Sequence, residues 1–140
     1  MSDIKYIGIV GSSKATTTQN VVDTVCSILD RYNKINTTIV SGGAKGIDTI
    51  AVDIARSLDY DVLEFLPKGI GWQYYKPRNM LIANKCDKVY SIALPLTQGS
   101  ITVNGTNCYH CKRVGNNSRH FKTAGCWTAN QCKEHEVLVA

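Results

Sequence analysis

The sequence predicts an α/β fold, a three-layer sandwich in which a mostly parallel sheet carries helices on both faces. Short runs of branched apolar residues alternate with segments of helical periodicity, and turns rich in glycine or proline separate them. Strands joined through single helices favour right-handed crossovers and therefore parallel pairing. A length of 140 residues suits one domain, so we expect a single domain over residues 1–140.

Apolar runs and helical spacing predict three strands and two helices in the first half of the chain. The first strand is rich in isoleucine and ends at Gly11, and Pro67 ends the third strand. Between the strands, valine, isoleucine and leucine residues recur at the spacing of a buried helix face. The expected elements are strands over 4–10, 37–41 and 61–66, and helices within 12–35 and over 47–58.

The second half of the chain predicts a less regular arrangement. A loop that contains Gly69, Gly71 and Pro77 precedes a short helix and a fourth strand. The stretch 97–124 is longer than an ordinary connection, so we treat it as a basic, cysteine-rich insertion before the last helix. The expected elements are helices over 78–86 and 127–135, and strands over 87–94 and 136–140.

Two strand-to-helix turns carry small residues that suit an anion-binding site. Parallel sheets bind ligands beyond the carboxyl ends of their strands, and glycines there let backbone N–H groups and a helix N-terminus face a phosphate. Plain turn chemistry explains the same residues, and this alternative stays open. The turns comprise Gly11, Ser12 and Ser13 after the first strand, and Ser41, Gly42 and Gly43 after the second.

The positive charge is concentrated near the C-terminus. The net charge is +5, and no acidic residue lies between Asp87 and Glu134, although lysine, arginine and histidine recur there. A basic surface of this kind favours phosphate-bearing partners; a solvated loop with a chance charge bias is the alternative.

Three residues of the insertion and one that follows it have the chemistry of a zinc site. Cys108 and Cys111 form a C-x-x-C pair, whose spacing lets both thiolates face one ion, and His120 and Cys126 could complete a tetrahedron. A polar insertion buries too little apolar surface to order itself, so a metal would supply the missing free energy. A structural zinc is the expected cofactor, and a disulfide or free thiols remain alternatives.

Two motifs resemble a known superfamily. The segment IVSGGAKGIDTIA (39–51), followed by YKPRNMLIANKCDKVYSI (75–92), resembles the SLOG superfamily, which unites DNA-processing protein A with the lonely-guy phosphoribohydrolases. The resemblance covers about residues 4–96 and 125–140. It implies a Rossmann-like fold that binds a nucleotide, a nucleotide-derived ligand or single-stranded nucleic acid.

The resemblance also implies site residues. Gly11 and Ser12 match the first turn of the family, and Arg78 and Asn79 match its Arg-Asn pair, where the guanidinium would contact phosphate oxygens. Asp48, after the second turn, is expected to stabilise its helix start. The second turn matches through Ser41, Gly42, Gly43 and Gly46. From side-chain chemistry we add Lys45 as a phosphate contact and Trp72 as a stacking surface for a base.

The residues favour a binding module over an enzyme. The phosphoribohydrolases carry catalytic glutamates after the fourth strand, whereas the corresponding stretch 95–129 contains no glutamate. We therefore expect the protein to bind a nucleotide or nucleotide-derived phosphate ligand. The alternatives are a single-stranded nucleic-acid-binding module and a phosphoribohydrolase-like enzyme.

Hydropathy predicts the compartment. No apolar stretch approaches the ~20 residues that span a bilayer, and the N-terminal apolar run is too short for a secretory signal. We expect a cytoplasmic protein without a membrane partner, and homo-oligomerisation stays open.

Overall fold

The fold is given by a computed structural model that describes residues 4–95, 108, 120 and 123–140. Apolar residues and turn residues divide these parts of the chain into alternating strands and helices. The elements are β1 (Lys5–Gly11), α1 (Gln19–Leu29), β2 (Thr37–Ser41), α2 (Ile47–Ser57), β3 (Asp61–Glu64), α3 (Trp72–Lys85), β4 (Lys88–Ala93), α4 (Ala124–Gln131) and β5 (His135–Val139).

The strands form one parallel sheet of five, in the order β3-β2-β1-β4-β5. The predicted Rossmann-like α/β fold is thereby confirmed. The chain runs outward from β1 through β2 to β3, and then returns so that β4 pairs with the other side of β1. The strand order therefore reverses between β1 and β4. Ligands of open α/β sheets bind beside such a reversal, at the carboxyl ends of the strands.

Alternate residues of the strands face two separate apolar cores. On one face, Ile7 and Ile9 of β1 pack with the apolar sides of α1 and α2. On the other face, Val10 of β1 and Val89 of β4 pack with residues of α3 and α4. Fully burying a side chain of this size stabilises the fold by ~1.5–3 kcal/mol, so the two cores hold the strand ends rigidly.

Helix α3 begins six residues before the predicted start at 78. Pro77 lies inside this helix, although proline lacks the N–H group that a helix interior requires. The first turn forms before the proline because the backbone N–H groups of Tyr74 and Tyr75 both donate to Gly71 O, at 3.0 Å each. The Trp72 ring also packs edge-on against Trp127 of α4, with 5.0 Å between ring centroids. Tertiary packing here outweighs the local signal of the proline.

Helix α4 begins three residues before its predicted start at 127 and ends four residues before its predicted end at 135. Thr123 is its N-cap, and the Thr123 hydroxyl accepts from Gly125 N at 3.1 Å. Most of the expected insertion 97–124 lies outside the described residues, with Cys108, His120, Thr123 and Ala124 as the exceptions. Within the described ranges, none of the helices combines the length and apolarity needed to cross a bilayer.

Candidate functional site

A cavity of about 590 Å³ lies at the carboxyl ends of the strands, beside the reversal between β1 and β4. Its wall is built from the turns after three strands, from the first turn of α2 and from helices α3 and α4. Among the described residues, the wall comprises Val10 to Lys14, Gly43, Ala44, Lys45, Asp48, Pro67, Tyr75, Arg78, Asn79, Thr123, Ala124, Gly125 and Thr128.

Backbone hydrogen bonds join the two glycine-containing turns to each other. Ile47 N, at the start of α2, donates to Ser12 O at 3.1 Å, and Ser12 N donates to Ile92 O at 3.0 Å. The first turn is therefore tied both to the start of α2 and to the end of β4. This arrangement fixes the cavity floor before any ligand arrives.

Asp48 lies under the second turn and is almost entirely buried, with 4% of its surface exposed. Its Oδ2 accepts from Gly42 N at 3.2 Å. Burial raises the pKa of Asp48 from 3.8 to about 6, while the Arg78 guanidinium and the backbone N–H groups of Ala44, Gly42 and Gly11 act in the opposite direction. The backbone of the two turns therefore already holds one carboxylate of the protein itself.

The raised pKa of Asp48 predicts that stability depends on pH. The folded protein binds the carboxyl proton of Asp48 more tightly than the unfolded chain does. The resulting stabilisation of the fold is fully present below about pH 4 and is lost as the pH rises through about 6. A rise from 3.8 to about 6 corresponds to ~3 kcal/mol. Urea unfolding between those pH values should show a decline in the parent protein that Asp48→Asn lacks. Parallel pH curves for parent and variant would contradict this assignment.

Arg78 projects from α3 towards the same turn. Its Nη1 donates to Gly42 O, and its Nε donates to Asn79 Oδ1 at 2.7 Å. Burial lowers the pKa of Arg78, and the charges of Asp48 and Tyr75 oppose that effect. An arginine keeps its charge under such a shift, so a buried cation stands in the cavity wall.

Seven of the ten predicted ligand residues lie together on the cavity wall. Ser41, Gly42 and Trp72 lie outside it. The Ser41 hydroxyl donates to Ile9 O at 2.8 Å, Gly42 N donates to Asp48, and Trp72 packs on Trp127. The seven residues on the wall are Gly11, Ser12, Ser13, Gly43, Lys45, Arg78 and Asn79.

Sequence reasoning missed a second group of wall residues. Lys14 follows the first turn directly and could have been found from its position, whereas Tyr75 is an aromatic residue near Trp72 in the sequence that was not predicted to line the site. The first turn of α4 carried no signal for a ligand, because only the fold brings it beside the first turn of the sheet. Its contribution to the wall comprises Thr123, Ala124, Gly125 and Thr128.

Three of the four predicted metal ligands come together behind this wall. One sulfur or nitrogen atom from each of Cys108, His120 and Cys126 lies within 4.8 Å of the other two, and all three residues are buried. Thiolates around a tetrahedral zinc lie roughly 3.8 Å apart, so this spacing suits a metal ion. The fourth predicted ligand, Cys111, lies outside the described residues.

Comparison with protein families identifies the fold's relatives. The family model described as DNA recombination-mediator protein A matches residues 1–98. The chain belongs to this family. Among curated proteins and among solved structures, no match to the sequence is found.

Membership of the DNA recombination-mediator protein A family indicates a function related to DNA processing or nucleic acid. The matched residues include both glycine-containing turns, Asp48 and Arg78. The match ends at residue 98, so the Cys108–His120–Cys126 cluster and the α4 part of the wall lie beyond it.

Proposed function

We propose that the cavity binds the phosphate of a nucleotide or of a nucleotide-derived ligand. One observation carries this proposal: two strand-to-helix turns, locked together through Ile47 N and Ser12 O, converge on a single cavity at the strand reversal. The start of α2 places a helix N-terminus at this cavity, and its dipole favours an anion. The N–H groups of Gly11, Gly42 and Ala44 already bond Asp48, so the cations of the wall supply the further preference for a phosphate.

The charges of the wall support an anionic ligand. Lys14 and Lys45 are exposed where their turns meet the cavity, and Arg78 contributes a buried guanidinium. Asp48 is the one acidic residue among the described wall residues, and it is buried beneath the second turn and bonded to Gly42 N. A phosphate would therefore approach the lysine-bearing side of the turns rather than the Asp48 side.

Family membership favours a second candidate, in which the phosphate belongs to single-stranded nucleic acid. The DNA recombination-mediator protein A family match covers the turns of the cavity. The two candidates differ in how many phosphates they engage. Affinity for a polymer falls steeply with salt, with a logarithmic slope of about −0.7 for each neutralised phosphate of a single strand, whereas a mononucleotide gives a shallow slope.

The test combines a screen with a salt titration. Nucleotides and an oligothymidylate of about ten nucleotides are screened by thermal shift, and binding is then measured at several salt concentrations. We expect Lys45→Ala to weaken binding and to reduce the slope with the oligomer by about 0.7. The matched control is Lys34→Ala, since Lys34 is an exposed lysine that precedes β2 at the opposite end of the sheet.

If Lys45→Ala and Lys34→Ala change the affinity and its salt dependence equally, the cavity is not the binding site. Release of free base from a nucleoside monophosphate would instead favour the phosphoribohydrolase-like alternative.

We propose that the Cys108–His120–Cys126 cluster holds a structural zinc, and that Cys111, which lies outside the described residues, supplies the fourth ligand. Two sulfurs and one imidazole in a buried site match the ligand preference of zinc, and a closed set of four protein ligands leaves no position for a reactive water. The metal would join the chain around residues 108 and 120 to α4, because Cys126 belongs to that helix.

Elemental analysis of protein purified without chelator should give about one zinc per chain. Cys108→Ser should lose the metal because a serine hydroxyl is a poor replacement for a thiolate. Cys26→Ser is the control, since Cys26 lies on α1, away from the cluster, and this variant should keep the metal. Metal-free parent protein with Cys108 in a disulfide would contradict the zinc assignment.

A further inference from the structure

The first turn of α4 is shared by the cavity and by the metal cluster. Thr123, Ala124 and Gly125 line the cavity, and the next residue, Cys126, is fully buried and belongs to the cluster. Consecutive residues of one helical turn therefore serve both sites. A displacement of this turn would alter the two sites together.

Direct contacts couple the cluster to the cavity wall. The Cys108 thiol donates to Thr123 O at 3.8 Å, and Thr123 is the N-cap of α4. Metal binding deprotonates a cysteine ligand, so an occupied site would replace this bond and change what holds the N-cap. Cys126 Sγ lies 3.4 Å from Ser91 Oγ on β4. The cluster thus holds the helix start on one side and contacts the central sheet on the other.

The α4 part of the cavity wall also packs closely against Gly11, at the end of β1. A Cβ atom at Gly125 would lie 2.7 Å from Gly11 Cα, so the backbones of α4 and β1 are in close contact at this point. Glycine permits such an approach because it has no side chain. A small shift of α4 would therefore move its wall residues relative to Gly11.

Helix α4 has only eight residues. Isolated helices of this length are marginal in water, so the position of α4 depends on what it packs against and on what binds it.

We propose that metal occupancy of the Cys108–His120–Cys126 cluster positions the first turn of α4 and thereby controls ligand affinity at the cavity. Cys108 and Cys126 are positioning residues for the cavity in this account. The inference rests on the proposed function for its ligand half. Because coupling between two binding sites is reciprocal, the ligand must raise zinc affinity by the same factor by which zinc raises ligand affinity.

The first arm of the test needs no ligand. Amide hydrogen exchange is compared between zinc-loaded and chelated protein, in peptides covering 9–14 and 123–131. We expect exchange to be at least about fivefold faster in both peptides after chelation, with α1 and β2 unchanged. Unchanged exchange in these two peptides would overturn the inference, and so would faster exchange throughout the chain, which would mean that the metal holds the whole fold.

The second arm measures the reciprocal affinities. Zinc affinity is determined by competition with a chromophoric chelator, with and without saturating oligothymidylate, and oligothymidylate affinity is determined with and without zinc. We expect both to change by the same factor, in the range of about 5- to 150-fold. Unequal factors, or oligothymidylate affinity independent of zinc, would overturn the inference.

Two cysteine variants of the same helix region complete the design. Cys126→Ser should behave like chelated protein even when zinc is added, with its far-ultraviolet circular dichroism retained. Cys132→Ser, at the C-cap of α4, is the matched control and should keep the full response to zinc. If zinc-loaded parent protein binds no nucleotide and no oligomer, the proposed function fails, while hydrogen exchange still decides whether the metal positions the wall.

Discussion

Replacing Gly46 with alanine should lower the free energy of unfolding by about 4 kcal/mol. The backbone at Gly46 has φ +80° and ψ −129°, a conformation that residues with a side chain rarely adopt. An added Cβ would also overlap the carbonyl oxygen of Ser12 and lie 2.8 Å from Ser13 Cα. Both contacts are with backbone, so no side-chain rotation relieves them. Urea unfolding of parent and variant measures the loss.

Gly71→Ala is the matched control for Gly46→Ala. Gly71 has φ +111° and is the N-cap of α3, as Gly46 is of α2, but nothing lies within 4 Å of its added Cβ. Gly71→Ala should therefore lower the free energy of unfolding by about 2 kcal/mol, which is the cost of the backbone strain alone. The difference between the two variants isolates the contact between the two turns. Equal losses would mean that the turns are not in close contact.

Replacing Arg78 with methionine should lower the free energy of unfolding by about 3 kcal/mol. The variant loses the bonds from the guanidinium to Gly42 O and Asn79 Oδ1 while keeping an apolar stem in a buried position. The variant also removes the positive charge that lowers the pKa of Asp48 against the effect of burial, so the pKa of Asp48 should rise further. Nucleotide or oligothymidylate binding should weaken as well, because the wall loses its buried charge.

Lys76→Met, on the same helix, separates this effect from a general change in charge. Lys76 is exposed, and its replacement should leave stability within about 0.5 kcal/mol of the parent. A similar loss for both variants would indicate that Arg78 acts through overall charge and not through its buried contacts.

Much of the fold could be predicted because buried strands and helices leave periodic apolar patterns. Ile7 and Ile9 face one core and Val10 the other, and this alternation is readable in the sequence. The start of α3 was not predicted, because Pro77 is a local signal whereas the Trp72–Trp127 contact that outweighs it joins distant parts of the chain. Local patterns cannot contain such information.

The candidate site could be predicted where the parallel topology alone determines position. Gly11 ends β1, and Ser12 and Gly43 come shortly after strands, so parallel pairing brings the three residues to one edge of the sheet. Gly42 N donates to the Asp48 side chain instead of to a ligand. This could not be predicted, because the same turn sequence is compatible with an N–H that donates to a ligand and with one that donates to a side chain. The wall residues of α4 depend on how closely Gly125 approaches β1.

The grouping of Cys108, His120 and Cys126, which could hold a metal ion, was predicted from chemistry rather than from periodicity. Cysteine and histidine at metal-ligand spacing are informative because few other roles require those residue types together. Their relation to the cavity was not predicted, since Thr123 and Cys126 acquire it only through the packing of α4 on the sheet.

Amide chemical shifts of isotopically labelled protein, titrated with nucleoside monophosphates and with oligothymidylate, test the central claim most directly. At 15.4 kDa the protein suits this measurement. If the cavity binds a phosphate-bearing nucleotide unit, shifts should change at 11–14, 43–45 and 123–125, which border the cavity, and not in α1 or β5. Saturable binding without shift changes at those three segments, or no binding of any of these ligands, would contradict the claim that the cavity binds a phosphate-bearing nucleotide unit.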